Sequence, residues 1–549
     1  MRSWWWIPAC VVAAASGACS SGEGMLDMRV GSARVMDDGT PTEISIRATT
    51  ASGGVGSGLV TLSSSAGLVG DSSVRLDDYG KATTTFACDV NTDSRCVGSA
   101  TVTATWNGVT FELPIRLNER CPGGKLCGSV CVAIVSDWFN CGGCGVQCAV
   151  DQACIDGRCA PCPGGDCDSD GWLTSTGDCC DQYNVCTRPS AVNPGAVEAL
   201  DNGVDDNCNG LLDTADTLDT QPCDSSLGPR AGDPLDFARA LGLCRTTTES
   251  ERTWGVLSAE ILLANGDAGV PPESTAIRPG FGTLAPQEGA RLVVLATEVA
   301  ADSVQTNPKL GDPVANTAVD IDNCHAPACI DDWFRASRLP IKAPGKLPDT
   351  PACGMSGSSS STANDSVMLR LRVRAPTNAV SFRLKTRFFS DEYPEFVCSR
   401  FNDQMVLLID TPGASVRNPT DKNLMTYSLD GGAWPVGINL AAGTPLFQSC
   451  VPRADSPMCW NESVNDNSCK QGPSALAQTQ FGQVVSTGGQ CLSGGATAWM
   501  GTRGNVKPGG IFELRAVIWN VNDHDFDSLV LLDDFEWSVV EVEPGTDVE

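Results

Sequence analysis

The chain has 549 residues, 42% of them hydrophobic and only 19% charged, so it can bury real cores but is too long for a single one. Its 66 acidic and 37 basic residues leave a net charge of −29, which argues against nucleic acid as a partner and suits bound cations. Twenty-eight cysteines beside only two histidines, His325 and His524, point to disulfides made in an oxidising compartment rather than to Cys/His zinc sites.

At the N-terminus Arg2 supplies a positive start, residues 4–15 are apolar, and Ser16-Gly17-Ala18 precedes Cys19. This stretch, 1–19, resembles a lipoprotein signal peptide. The resemblance implies a lipid on Cys19 that holds the chain at the outer membrane of a Gram-negative bacterium. Ser16 stands where the lipobox usually has Leu, and plain secretion with cleavage after Ala18 is the alternative. Setting aside Cys10 and Cys19 leaves twenty-six cysteines, an even number. No later run approaches the roughly 20 apolar residues of a membrane span.

Residues 25–118 alternate apolar and polar positions in short runs broken by Gly, Asp and Ser, as in 43–47, 58–62 and 100–106. The pattern predicts a β-sandwich. The stretches 74–86 and 98–108 resemble the end strands of bacterial immunoglobulin-like domains of the invasin type, which implies a stalk or spacer. Cys88 and Cys96 are placed to clamp the connection between them.

Residues 119–160 hold Cys121, Cys127, Cys131, Cys141, Cys144, Cys148, Cys154 and Cys159, too dense for a hydrophobic core and suited to four disulfides in its place. The run from Asn140 through Cys148, with Cys154 and Cys159, resembles the stigma-specific type of cysteine-rich module.

The strongest chemical signal lies in 161–217. Asp166, Asp168 and Asp170, followed by Gly171, put alternate carboxylates where they can converge around a turn. Asp205, Asn207, Asn209, Gly210, Leu211, Asp213 and Asp216 occupy positions 1, 3, 5, 6, 7, 9 and 12 of an EF-type loop, with Asp for the usual Glu at the last. Together with Asp178, Asp181 and the stretch 192–198, the segment resembles the metal-binding repeat of MopE type, whose members are surface-associated and sometimes bind copper. Cys180 replaces the usual Asp, which puts ligation near Asp181 in question. The segment has no histidine, so Ca²⁺ is expected ahead of copper.

After a linker, 218–235, come strand-like runs at 290–296, 367–373, 405–410 and 512–519, with one helical pattern from Leu235 to Leu243. Residues 388–410 and 516–535 resemble signatures of the choice-of-anchor L domain, which would span 236–541 before an acidic tail, 542–549. Asp391, Glu392, Glu395, Asn402 and Asp403, and Asp523, Asp525 and Asp527, form two acidic patches that could hold a second metal or a ligand, or simply be surface turns.

The fold class is therefore mainly β and multidomain. An immunoglobulin-like sandwich is followed by disulfide-rich and calcium-loop modules with little regular structure, then by a large sandwich or jelly-roll-like domain. No nucleophile elbow and no His-Glu-x-x-His helix occurs, so no catalytic residues are assigned and no enzyme is expected. The expected function is that of a calcium-binding surface lipoprotein for adhesion or recognition of an extracellular protein or polysaccharide. A metal-scavenging or structural envelope protein, and a glycoside hydrolase using paired carboxylates, are the alternatives.

Overall fold

The computed structural model describes residues 24–549 apart from 32–34, 38, 51–53, 90–91, 97, 119–124, 128–129, 150–151, 183–185, 187, 201, 213–221, 301–316, 338–343, 349, 354–359, 413–415, 430–431, 452–469 and 488–489. The expected signal segment with Cys19, and also Cys121, the side chain of Cys131, Asp213 and Asp216, lie outside the described residues.

The N-terminal module is a sandwich of two sheets. One contains Met25–Val30, Thr42–Thr49, Lys81–Ala87 and Leu68–Val69, and the other Val35–Met36, Val109–Asn118, Ser99–Trp106, Leu59–Ser64 and Ser73–Arg75. The period-two pattern makes it so: Ile44 and Ile46 from one sheet and Ala100, Val102, Ala104 and Trp106 from the other face a shared core. Asn107 and Gly108, both at positive φ, form the two-residue hairpin turn that joins the last long strands. Cys88 and Cys96 are bonded to each other and fully buried, bridging the connection from Lys81–Ala87 to Ser99–Trp106.

In the next module two small hairpins, Lys125–Cys127 with Val130–Val132 and Gln152–Ile155 with Arg158–Pro161, are tied by Cys127–Cys144, Cys141–Cys154 and Cys148–Cys159. Trp138 fills the centre, and its indole N–H donates to the carbonyls of Ala149 and Gln152. The crosslinks stand where a larger domain would have apolar area.

The C-terminal domain stacks a seven-stranded sheet on an eight-stranded one. The first runs Gly255–Leu262, Thr362–Arg374, Ile511–Asn520, Gln404–Asp410, Gly432–Gly437 and Thr426–Leu429, with Ala318–Asp320 beside Thr362–Arg374. The second centres on Leu292–Ala296, Ser528–Ser538 and Ser381–Ser390. Leu369, Leu371 and Val373 meet Phe382, Leu384 and Phe388 in the core between them. Both outer faces are covered too. The helix Asp331–Arg335 lays Trp333 and Phe334 on Val406, Leu408, Val517 and Trp519, while Phe281, Leu476 and Phe481 cover Val294, Leu529 and Leu531. This is why the strand runs are continuously apolar instead of alternating. Arg515 enters the outer cluster only because Asp332 pairs with it at 2.9 Å and the Cys329 carbonyl accepts from it at 2.6 Å.

Two boundaries and one packing contact differ from the sequence expectation. Cys223 is bonded to Cys244, and buried Asp224 accepts from the Ala290 and Arg291 amides, so the second half of the expected linker belongs to the C-terminal domain. The expected acidic tail contains the strand Gly545–Val548, paired with Met500–Asn505. The N-terminal sandwich, expected as a stalk or spacer, lies against this edge: Arg47 sits 4.1 Å over the Tyr427 ring, and the Lys81 ammonium donates to the Val548 carbonyl. Helix Leu235–Ala240 appears where the apolar periodicity placed it.

Replacing both Cys88 and Cys96 by serine should cost the first sandwich about 2 kcal/mol by releasing a short closed loop in the unfolded chain. In urea unfolding this is expected as a lower midpoint for that transition, with that of the C-terminal domain unmoved.

Candidate metal centre

The segment after the cysteine-rich module has almost no regular structure, and its path is set by aspartates bonding to nearby backbone amides. Asp166 accepts from the amides of Ser169 (2.6 Å) and Gly171 (2.9 Å), Asp168 from Asp170 (3.1 Å), and Asp170 from Trp172 (2.7 Å). Ser169 and Gly171 take positive φ, 64° and 89°, which turns the chain tightly enough to bring alternate side chains to one point. Asp178 accepts from the Cys180 amide, and Asp181 from that of Cys167 at 2.6 Å.

The outcome is a shared cradle. Carboxylate oxygens of Asp166, Asp168 and Asp181 lie within 4.8 Å of one another, as do those of Asp168, Asp170 and Asp178. Asp168 belongs to both sets. One oxygen of Asp168 and one of Asp178 are buried without a hydrogen-bond partner. Burial, then the neighbouring Asp170, pushes the Asp168 carboxyl up to about 8. Burial likewise pushes Asp178 up to about 6 and also raises Asp170. Asp181 joins the cradle although Cys180 breaks the repeat beside it; Cys180 is bonded to Cys186.

The donor set fits a hard cation. Cys162–Cys167, Cys179–Cys208 and Cys180–Cys186 are disulfides, so none of these sulfurs is a thiolate, and the segment holds no histidine. Copper finds no soft or imidazole ligand, whereas calcium takes six to eight oxygens.

The second loop repeats the backbone of the first. Asp205 accepts from the Asn209 (3.0 Å) and Gly210 (2.8 Å) amides, Asn207 from Asn209 (3.1 Å), and Asn209 from Leu211 (2.8 Å). Cys208 and Gly210 have φ of 57° and 89°, matching Ser169 and Gly171. The Cys179–Cys208 bond fixes this loop to the first.

Sequence reasoning missed Asn193. It is fully buried, donates from Nδ2 to Asp170 at 2.8 Å and accepts from the Thr377 hydroxyl at 2.7 Å, linking the cradle to the C-terminal domain. Beside it Asn378 exchanges two hydrogen bonds with the Val197 backbone, at 3.0 and 2.7 Å. Its position in the stretch 192–198 was the one available signal.

The two acidic patches of the C-terminal domain come together at one end of its sandwich. Ser390 pairs with Ser528, and beyond them the Asp391 amide donates to the Asp527 carbonyl; Gln404 pairs with Trp519, and beyond them Asp403 accepts from the Val521 amide. Asp391, Glu392, Asp403 and Asp527 are buried, Asp523 and Glu395 half-buried, and Asp525 is exposed and stays outside. Asn402 is structural: its side chain accepts from the Asn439 amide at 2.8 Å. Among the described residues, the groups of three or more ligands gathered within 4.8 Å do not include this patch.

Residues 348–536 match the family model of the choice-of-anchor L domain, and both signature segments fall inside that range. A choice-of-anchor domain implies a cell-surface or secreted protein. The sandwich is wider than the match, since Gly255–Leu262, Thr275–Arg278 and Leu292–Ala296 precede it. No curated protein matches the chain.

The elevated carboxyls of Asp168 and Asp178 set a pH dependence. In chelator their contribution to stability is full below about 4, the unfolded value, and is lost as pH rises through 6 and 8. Thermal unfolding in chelator should therefore show a lower midpoint at pH 8 than at pH 5 from this segment. Calcium affinity measured by calorimetry should change the opposite way and weaken as pH falls, because the cation competes with protons.

Proposed function

We propose that this is a non-enzymatic surface protein for adhesion or recognition, whose aspartate cradle binds Ca²⁺ and thereby rigidifies the segment before the C-terminal domain. The observation that carries the reading is the convergence of Asp166, Asp168, Asp170, Asp178 and Asp181, with oxygens of Asp168 and Asp178 buried and unsatisfied. A cation there replaces the apolar core that so short a segment lacks, as the disulfides do beside it. The second loop, from Asp205 to Asp216, is read as a further calcium loop on the strength of its matching backbone.

The C-terminal sandwich is the ligand-facing part in this reading, its loops carried on sheets that are buried on both faces and hence rigid. Its ligand is an extracellular protein or polysaccharide, and attachment to the outer membrane is by a lipid on Cys19.

Thermal unfolding of the full mature chain tests the metal assignment. Calcium at 100 times its dissociation constant should add about 2.7 kcal/mol to the stability of the unit that binds it, and Cu²⁺ should add nothing comparable. Asp168→Asn should remove most of the calcium effect while leaving chelated protein no less stable, since the substitution relieves a buried charge. Equal midpoints with and without calcium in the wild type would dispose of the cradle as a metal site.

A further inference from the structure

The acidic end of the C-terminal sandwich presents a different problem from the cradle. Glu392 is fully buried, and neither of its carboxylate oxygens has a hydrogen-bond partner. Asp391, next to it, keeps one oxygen buried and unpartnered. The charges that face Asp391 are those of Asp527, Glu298 and Glu395, and those that face Glu392 are Asp403 and Asp523. Among the described residues, the positive groups that face these acids, His524 and Arg400, stand at the rim beside Asp523.

Strand ends from both sheets bring these residues together. Asp391 and Glu392 follow Ser381–Ser390, Asp527 precedes Ser528–Ser538, Glu298 follows Leu292–Ala296, Asp403 precedes Gln404–Asp410, and Asn520 closes Ile511–Asn520. Asn520 is fully buried, and its side-chain oxygen and nitrogen both lack partners. Asp527 and Asp403, by contrast, are held in place: Asp527 by the Thr297 hydroxyl, the Glu298 amide and Gln480, and Asp403 by the Val521 amide and the Ser528 hydroxyl.

Protonation alone does not resolve this arrangement. A neutral carboxyl still needs an acceptor for its proton, and neither Glu392 oxygen makes a hydrogen bond of good geometry, the Asp403 amide being the one donor turned toward it. A hard divalent cation satisfies several carboxylate oxygens and an amide oxygen at once, and offsets their mutual repulsion. We propose that this end of the C-terminal domain is a second calcium site, with Glu392 as its central ligand, Asp403, Asp523 and the Asp391–Asp527–Glu298 group as neighbouring carboxylates that draw in around the ion, and the Asn520 amide oxygen completing it. Calcium suits it better than magnesium, because the oxygens are spread over several strand ends and calcium tolerates a large, irregular shell. The site is separate from the aspartate cradle and does not rest on it.

Equilibrium dialysis of the full mature chain with ⁴⁵Ca²⁺, together with thermal unfolding in calcium and in chelator, tests the proposal on wild type, E392Q, D523N and the cradle double variant D168N/D178N. The cradle variant is expected to keep the calcium of the Asp205 loop and that of the C-terminal domain, the latter shown by a calcium-dependent rise in the midpoint of the C-terminal domain. E392Q is expected to lose the C-terminal calcium and that rise, while its midpoint in chelator equals or exceeds that of wild type. D523N, at the half-exposed rim, gives the same loss of binding if E392Q does not fold. Binding by E392Q and D523N indistinguishable from wild type overturns the proposal, as does a cradle variant that binds no calcium. Loss in E392Q with wild-type binding in D168N/D178N supports this site and overturns the cradle instead.

Discussion

Asp168 and Asp178 each hold a carboxylate oxygen beyond the reach of water or any donor, and holding charge there is the constraint under which the middle of this protein is built. The surrounding chain can do little by itself to lower that cost. It supplies backbone amides in tight turns and leaves the remaining lone pairs facing one another. Disulfides hold the turns, so the carboxylates cannot move apart to be hydrated without straining covalent bonds. The segment is compact with little apolar surface, and the donors it gathers are hard oxygens.

The C-terminal domain meets an equivalent constraint by other means. Its sheets are covered on both faces, so the strands bury every side chain along most of their length and polar groups gather where the strands stop. At one end the stops coincide, and carboxylates from both sheets share a dry volume. The same domain shows how a buried charge is normally balanced. Buried Arg515 is paired with half-buried Asp332, and Arg370 bridges Glu260 and Glu513 at 2.6 Å each. Among the described residues, the charges that face Asp391 and Glu392 at the acidic end are all negative.

Legibility in the sequence followed the range of the interaction. Period-two alternation read out the first sandwich, because one face of each sheet is solvated; alternate carboxylates around a glycine read out the cradle, because its ligands lie within sixteen residues, from Asp166 to Asp181. Continuous apolar runs identified strands in the C-terminal domain but could not give their order, which depends on pairings such as Val293 with Leu532. For the same reason Glu298 and Asn520 escaped notice. Each is a single polar residue just past an apolar run, and only the fold places it beside acids far away in the chain. The fold-back of the first sandwich was invisible because Arg47 and Tyr427 are ordinary residues until they stack. Polarity is a poor guide to exposure in the second half of the expected linker and in the expected tail. Asp224 and Gly545–Val548 are polar or small, yet hydrogen-bonded and largely buried.

Asn193 divides its side-chain amide between Asp170 of the cradle and Thr377 of the C-terminal domain, and Asn378 grips the adjacent Val197 backbone. Tension passed from one half of the molecule to the other therefore has a route parallel to the covalent chain, through a handful of amides. The compliance of that joint follows how firmly Asp170 is seated, so one carboxylate sets how stiffly the two halves are coupled.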